Sequence, residues 1–330
     1  MDGLVWTSCP DPATLERAVE EGVTLIVNLA VGQCSYAPPS GVDYVEIEIP
    51  DFSFTAHEYV YGEALAEALA RAARGERTLI HCLGGVGRSG TAAAMYLVAR
   101  GLEPSEALAR VESLGGGPQA PVQELAFRWF SRVHGLLGGE GLLSVYRDAR
   151  AAGLSDQLHV EHASTVAGVA LDILEALAPV TRHGRQAYVD AYLAGFLHDL
   201  GKETGPSIDH HVRGAEIVYS MESVRRLGSP PVVSKAVLHH RRSTDMLGDR
   251  ELEALGPEAR LVAAAVRAAD AVKNAYVGEG TYYGVELRGG RLVFKGSLWL
   301  EIAFRDIVEK TRALVELTGV EVGFEKVHWY

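Results

Sequence analysis

Cysteine is scarce in this chain. Cys9, Cys34 and Cys82 are the only three in 330 residues, too few for a disulfide framework and unable all to pair with one another. The expectation is a reducing, cytoplasmic home and at least one reactive thiol. Long hydrophobic runs are missing too, since nothing approaches the roughly 20 apolar residues that span a bilayer. Residues 1–10 lack the basic segment and apolar stretch of a secretory leader. Positive charge is in deficit, with 31 Lys and Arg against 43 Asp and Glu and a formal net charge of −12. A chain without a positive field is a poor nonspecific binder of nucleic acid or of an anionic membrane, although a local basic pocket stays open. Internal repeats and low-complexity segments are absent.

What is present is an ordinary globular composition in a chain long for one core, so two domains are expected. Through residue 134, strand patterns at 24–29, 44–49 and 77–81 alternate with helical patterns at 11–21, 56–74, 91–100, 103–113 and 122–134, which predicts an α/β layer fold. Gly138, Gly139 and Gly141 interrupt the pattern, and the domains are drawn there, as 1–138 and 139–330. From 142 to 276 the periodicity is helical almost throughout. Gly289-Gly290, between Val285-Glu286-Leu287 and Leu292-Val293-Phe294, predicts a β-hairpin with a tight turn. A last amphipathic helix is expected over 298–317, with Leu298, Ile302, Phe304 and Ile307 packed on the helical domain. The extension 277–330 carries no recognisable chemistry.

Chemistry concentrates first in His81-Cys82-Leu83-Gly84-Gly85-Val86-Gly87-Arg88-Ser89-Gly90, between a buried strand and a helix. A loop that ends at a helix N-terminus aims several free N–H groups at one point. Glycines at 84, 85 and 87 let the backbone curl around an anion. Arg88 adds a planar bidentate donor suited to a phosphoryl group. The same positive surroundings favour the Cys82 thiolate, and cysteines so placed have pKa values of about 3.5–7.5. A lone cysteine in a glycine turn is usually structural. Here Cys, five spacers, Arg, Ser and Gly occur together in the strand–loop–helix setting that nucleophilic catalysis requires.

The run resembles the Cys-x5-Arg signature of the protein tyrosine and dual-specificity phosphatases, completely over 81–90. The resemblance implies the compact dual-specificity fold. It makes Cys82 the nucleophile that becomes a phosphocysteine and Arg88 the phosphoryl ligand. Ser89 would stabilise the leaving thiolate and His81 would brace the loop, with Leu83, Gly84, Gly85, Val86 and Gly87 around the phosphate and no cofactor. A general acid is also needed, and Asp51, just after a strand in Ile49-Pro50-Asp51-Phe52, is the candidate ahead of Asp43. Leu83 and Val86 stand where relatives acting on highly phosphorylated inositides often carry Lys. That argues for a substrate with one accessible phosphate, a phosphoprotein or a small phosphomonoester.

The second concentration is of histidine. His162 lies in a helical pattern, His198-Asp199 closes an apolar helix, His210-His211 opens another, His239-His240 ends a third and Asp270 lies in a fourth. Imidazoles and carboxylates from several helices can converge in a bundle core on one or two metals, and the Asp of a His-Asp pair can bridge two ions. The order resembles that of the HD superfamily of metal-dependent phosphohydrolases, most closely over Phe196-Leu197-His198-Asp199-Leu200-Gly201-Lys202. The resemblance makes His162, His198, Asp199 and Asp270 the minimal ligand set and His210, His239 and His240 the set for a second ion. His210 is preferred to His211, His162 to His159, and His239 against His240 is open. Lys202 would face a substrate phosphate. The Gly-Tyr-Pro extension of cyclic-dinucleotide-degrading members is missing after His240, and Leu158 stands where a third-metal carboxylate would sit. At most two ions are expected, iron or manganese ahead of zinc or magnesium, activating water and clamping phosphate.

The fold class expected is therefore an α/β dual-specificity-phosphatase fold followed by an all-α HD bundle with a C-terminal hairpin and helix. The function expected is a bifunctional phosphohydrolase, the HD half acting on a phosphodiester, nucleotide or related ester. Two alternatives stay open, an HD half that only binds a ligand and regulates the phosphatase, and one that is a di-iron oxygenase. The sequence is silent on oligomeric state.

Overall fold

The computed structural model describes residues 3–53, 57–202, 207–272 and 282–327. Its contacts separate two compact units, Met1–Gly135 and Leu136–Tyr330. The first runs β1 (Leu4–Thr7), α1 (Pro12–Glu20), β2 (Val23–Asn28), β3 (Asp43–Glu46), α2 (His57–Val60), a π-helical turn at Tyr61–Leu65, α3 (Ala66–Ala73), β4 (Arg77–His81), α4 (Gly87–Ala99) and α5 (Pro104–Glu112). The strands are all parallel, in the order β1-β4-β2-β3. β2 and β4 are central, and Ile26, Val27, Leu79 and Ile80 are fully buried, as continuous apolar strands covered on both faces should be. α1 begins where Asp11 accepts the Thr14 N–H at 2.7 Å and Pro12 takes the first turn. Cys82 follows β4 directly, so the glycine-rich turn lies at the carboxyl ends of the strands, where open α/β sheets bind ligands.

Several expectations shift in detail. α4 starts at Gly87 rather than at 91, because the loop closes straight into a helical turn that Gly87 and Gly90 disguise in a propensity reading. β3 is shorter than 44–49, and beyond it only the Ala30–Glu48 bridge forms. The helix expected over 56–74 is interrupted by the π turn, and Ala56 lies outside the described residues. β1 has no counterpart in the sequence reading, since four residues are too few for a period to be visible. Cys9 and Cys34 form a disulfide and leave Cys82 as the free cysteine. A disulfide is rare in a reducing cytosol, so the cysteine count carries no argument for that compartment.

α6 (Pro121–Ala151) is broken at Gly138, whose φ of 68° and ψ of 169° are not helical. In the second unit, α7 (Gln157–Leu177), α8 (Arg185–Leu197), α9 (His210–Ser220), α10 (Glu222–Leu227), α11 (Pro230–His239), α12 (Arg250–Ala254) and α13 (Pro257–Ala269) follow. No strand occurs among the described residues of 142–272. α7, capped by Asp156, is buried without a break from His162 to Leu174, as a central bundle helix must be. The helix expected to run to 276 ends at Ala269, and residues 273–276 lie outside the described ones. No helix among the described residues is long and apolar enough to cross a membrane.

The chain closes with β5 (Tyr282–Arg288), β6 (Arg291–Gly296), α14 (Leu298–Thr318) and β7 (Glu321–Lys326). The hairpin forms at the expected turn, with Leu287 opposite Leu292. β7, unforeseen in the sequence, adds to β6 in parallel and makes a three-stranded sheet. α14 packs through part of the stripe expected. Ile307 is buried and Phe304 half-buried, but Ile302 is 65% exposed and Leu300 and Leu314 complete the buried row, while the Leu298 side chain lies outside the described ones. Buried Tyr282 donates to Asp172 Oδ2 of α7 at 3.0 Å and anchors the small sheet to the bundle.

The Cys9–Cys34 link closes a loop across a sequence separation of 25. Replacing both cysteines by Ala should lower the stability of the first unit by about 3 kcal/mol. Denaturant midpoints of wild type with and without reductant, and of the double variant, check this. Coincident midpoints would mean the link is not formed in solution.

Two candidate active sites

In the first unit, the turn after β4 wraps around the Cys82 sulfur. Gly85 N–H points at Sγ from 3.2 Å and the Ser89 hydroxyl lies 3.3 Å from it. Burial pushes the Cys82 thiol up, but the Ser89 side chain and backbone, the Gly85 N–H and the Arg88 charge outweigh it and hold the pKa below that of an ordinary cysteine. Gly85 has φ +76°, and a Cβ there would come within 2.5 Å of the Ser8 nitrogen. Only glycine fits that curl against the end of β1. His81 is fully buried, with Nδ1 3.3 Å from the Cys82 carbonyl and its other nitrogen hydrogen-bonded to the Tyr36 hydroxyl. Burial pushes its pKa down, so the ring is a neutral brace.

Arg88 is 2% exposed and donates to the Ile49 carbonyl at 2.8 Å and to Gln33 Oε1 at 3.0 Å. Asp51 Oδ1 lies 3.2 Å from the same guanidinium. The turn after β3 therefore brings Asp51 to the loop. Asp43 instead pairs with Arg71 at the start of β3. The Nε of Arg88 is buried without a hydrogen-bond partner among the described residues. A buried orphan donor is costly, and here it belongs to the guanidinium beside the sulfur, where an oxyanion would satisfy it. Leu83 is exposed at the loop surface and Val86 precedes the first turn of α4. Gln33 and Tyr36 were not found from sequence, because no local pattern links them to positions that fold topology alone brings close.

In the second unit, three helices end at one place. His198, Asp270 and His240 are the C-cap residues of α8, α13 and α11, and His210 is the first residue of α9. Carboxyl ends of helices carry partial negative charge and favour cations. His162, His198 and Asp270 form one buried group and Asp199, His210 and His240 a second, each with donor atoms within 4.8 Å of one another. Asp199 joins them. Its Oδ2 lies 3.3 Å from His198 Nε2 and 3.7 Å from His162 Nε2, while Oδ1 lies 3.3 Å from His210 Nε2 and 3.9 Å from His240 Nε2.

The donor set fits a metal pair. His198 Nδ1 donates to the Gly195 carbonyl at 2.7 Å and His240 Nδ1 to the Val237 carbonyl at 2.6 Å, which leaves both Nε2 lone pairs for a ligand role. His198 Nε2 is buried with no hydrogen-bond geometry to any described residue. The Nε2 atoms of His210 and His240 stand in hydrogen-bond contact at 3.0 Å, a separation that two nitrogen ligands of one cation would also have. Burial opposes charge on His198, and the Asp199 and Asp270 carboxylates overcome it and push its pKa up to about 10, so an ion binding there would displace the Nε2 proton. Burial opposes the charge of those acids as well, and the neighbouring imidazoles and lysines hold both well below the usual carboxylate range. Burial pushes His240 down to about 3, so it stays a neutral donor.

The structure does not bring His239 to this cluster. Its Nε2 lies 2.8 Å from Asp249 Oδ2, which also pairs with Lys235. Consecutive residues at a helix end diverge by about 100°, so only one of the pair can point inward. His211 and His159 are likewise outside both groups. Lys202 is paired with Asp199. Gly201 packs so closely on the start of α9 that a Cβ would lie 1.9 Å from the His210 carbonyl oxygen, which presses His198-Asp199 against His210. A cavity of about 460 Å³ opens onto the cluster, and Lys202, Arg241, Arg242 and Lys310 are among its lining residues. Lys310, bonded to Asp270, was missed because nothing in the sequence connects α14 to α13.

Residues 6–125 match the family model described as Swiss Army Knife protein, DSP-PTPase phosphatase domain, and residues 160–275 match the HD domain model. No curated protein matches the chain. Among solved structures, the active form of Tk-PTP is 28% identical, covering 39% of this chain and 91% of that one with a TM-score of 0.35. Human DUSP28 is 22% identical, covering 40% and 94% with a TM-score of 0.37. PTPMT1 in complex with PI(5)P is 19% identical, covering 40% and 92% with a TM-score of 0.35.

Ser89→Ala should move the Cys82 titration to higher pH, because the lost hydrogen bonds stabilise the thiolate. Thiolate absorbance against pH reads this directly, and an unmoved midpoint would remove Ser89 from that role. Metal content per chain separates the histidines. Asp199→Ala should empty both sites, His240→Gln should remove one ion, and His239→Gln should leave the content unchanged while lowering stability.

Proposed function

We propose that this chain, in which a phosphatase domain of the dual-specificity type precedes an HD domain, is a bifunctional phosphohydrolase acting on phosphate esters by two unrelated chemistries. Residues 1–138 are read as the thiol phosphatase and 139–330 as the metal-dependent hydrolase. The observation that carries the reading is that both donor sets converge. Arg88 aims a buried Nε, without a partner among the described residues, beside a lowered-pKa cysteine, and Asp199 spans two ligand groups with one oxygen each.

At the first site, Cys82 Sγ attacks phosphorus while the bond to the ester oxygen breaks. Asp51 gives its proton to the leaving alcohol. Arg88 exchanges Asp51 and Gln33 for two phosphoryl oxygens, joined by the N–H groups of 83–88. Water then attacks phosphorus and cleaves the S–P bond, its proton passing to the Asp51 carboxylate left by the first step, while the Ser89 hydroxyl donates to the departing thiolate. His81 holds the loop through the Cys82 carbonyl. Leu83 and Val86 leave no second cation in the loop, which supports a substrate with one accessible phosphate, a phosphoprotein or a small phosphomonoester.

At the second site, His162, His198 and Asp270 would hold one ion, His210 and His240 the other, and Asp199 both. Iron or manganese suits this set of nitrogen and oxygen donors. Such a pair supplies an activated water and a clamp for the phosphoryl oxygens. The chain's own cations do the rest. Lys202, Arg241 and Arg242 line the cavity, and among its described lining residues Asp306 is the one acid outside the ligand groups. That excess of positive charge selects a polyanionic ester such as a phosphodiester or nucleotide. A diester opened there would leave a monoester that the first site could hydrolyse.

Cys82→Ser protein loaded with manganese or ferrous iron should still turn over members of a phosphodiester and nucleotide panel. Adding Asp199→Ala should abolish that turnover, by about 10³-fold or more. Bound metal without turnover would instead support a regulatory helical domain. Oxygen consumption under the same conditions would support an oxygenase.

A further inference from the structure

The HD match ends at residue 275, yet the cavity over the His/Asp cluster is not closed by the matched helices alone. α14, from the C-terminal extension, supplies two of its lining residues, Asp306 and Lys310. They stand one turn apart and so share a face. That helix is fastened across the cavity at two points. Lys310 pairs with Asp270 Oδ2 at the end of α13. Arg242, in the turn directly after His240, pairs with Asp306 at 3.4 Å and with Glu309 of α14. On the flank of α14 next to Lys310, Ile307 and Leu314 are fully buried, and Tyr282 of the adjoining sheet is bonded to Asp172 of α7. A helix with its apolar row sunk in the bundle and its polar row tied to both ends of the site has no freedom to present Lys310 elsewhere.

We propose that Lys310 is a phosphate-binding residue of the metal-dependent site, and that α14 is an integral wall of that site. The inference rests on the two-metal reading above. Asp270 offers Oδ1 to His162 and His198, at 3.4 and 3.6 Å, so that oxygen belongs to the ligand group. Lys310 takes the other oxygen, Oδ2. The lysine therefore does not occupy the position of an ion bound through Oδ1. An ammonium has three donors, and Asp270 uses one. The side chain is 14% exposed and lines the cavity, so its remaining donors serve a ligand in that space. The class of ligand follows from the lining. With Lys202, Arg241 and Arg242 on the same cavity, an ammonium beside a metal ligand meets a phosphoryl oxygen of a group already seated on the ions. Lys202 on Asp199 and Lys310 on Asp270 then form a pair, one lysine beside each carboxylate ligand.

The test uses the full chain loaded with manganese and titrated with inorganic phosphate, followed by the Mn(II) electron paramagnetic resonance spectrum. An Arg88→Ala background removes phosphate binding at the Cys82 loop, so the readout belongs to the metal site. Lys310→Met should keep two manganese ions per chain and the wild-type melting temperature, and should weaken phosphate binding about 10- to 150-fold, the loss of a charge-assisted hydrogen bond. Lys310→Arg should recover part of it. Unchanged phosphate affinity with both ions in place would overturn the inference, since Lys310 would then only neutralise Asp270. Loss of manganese in Lys310→Met would overturn it as well, making Lys310 a positioning residue for the ligand. Wild-type protein that takes up no manganese or iron would sink the two-metal reading itself and this inference with it, an outcome the unsubstituted chain reveals before any variant is made.

Discussion

Asp199 is 9% exposed and ionised. A carboxylate taken out of water to that degree costs several kcal/mol unless charged partners replace the water. The helical unit is arranged around that requirement. Four imidazoles and an ammonium surround Asp199, and three helices end on the same spot, so their terminal carbonyls add to the negative potential instead of relieving it. A protein whose purpose was only stability would gain from apolar residues there. The arrangement makes sense as a place prepared for cations, with two carboxylates kept ionised and the imidazole tautomers preset by the Gly195 and Val237 carbonyls.

The α/β unit solves the opposite problem with the same physics. The buried charge at its loop is Arg88, and its partners are the Ile49 carbonyl, Gln33 and Asp51. One donor, Nε, is left over among the described residues. The loop is held from beneath by His81, from the side by the close approach of Gly85 to β1, and at the mouth by Asp51. Each support comes from a different strand of one parallel sheet, and the disulfide partners belong to the same framework, since Cys9 N–H donates to the Leu83 carbonyl at 3.0 Å. The positive potential needed for a thiolate and for a phosphoryl dianion is thus built by the elements that build the sheet.

The two sites differ in how much of each was visible in one dimension. The loop 81–90 is contiguous, so its residues, their order and the strand and helix on either side could all be read from the chain. The His/Asp set is scattered, and its order along the sequence pointed to a shared metal site without saying which nitrogen points inward. His239 and His240 are neighbours with identical chemistry. Only the end of α11 sends one to Asp199 and the other to Asp249.

What the sequence by itself determined is what depends on local period and local chemistry. That covers the alternation of strand and helix before Gly138, the helical run after it, the Gly289-Gly290 turn, and the residue types gathered at each site. What only the tertiary structure decided is what depends on contacts between distant segments. Gln33 and Tyr36 meet the 81–90 loop because β2 and β4 are adjacent in the sheet. Cys9 and Cys34 meet because they lie in the segments that follow β1 and β2 beside that loop. β1 and β7 exist because a neighbouring strand supplies the hydrogen bonds that four or six residues cannot supply themselves. Lys310 reaches Asp270 across forty positions because a helix with its own apolar row must pack somewhere, and the packing of α14 on α13 chooses where.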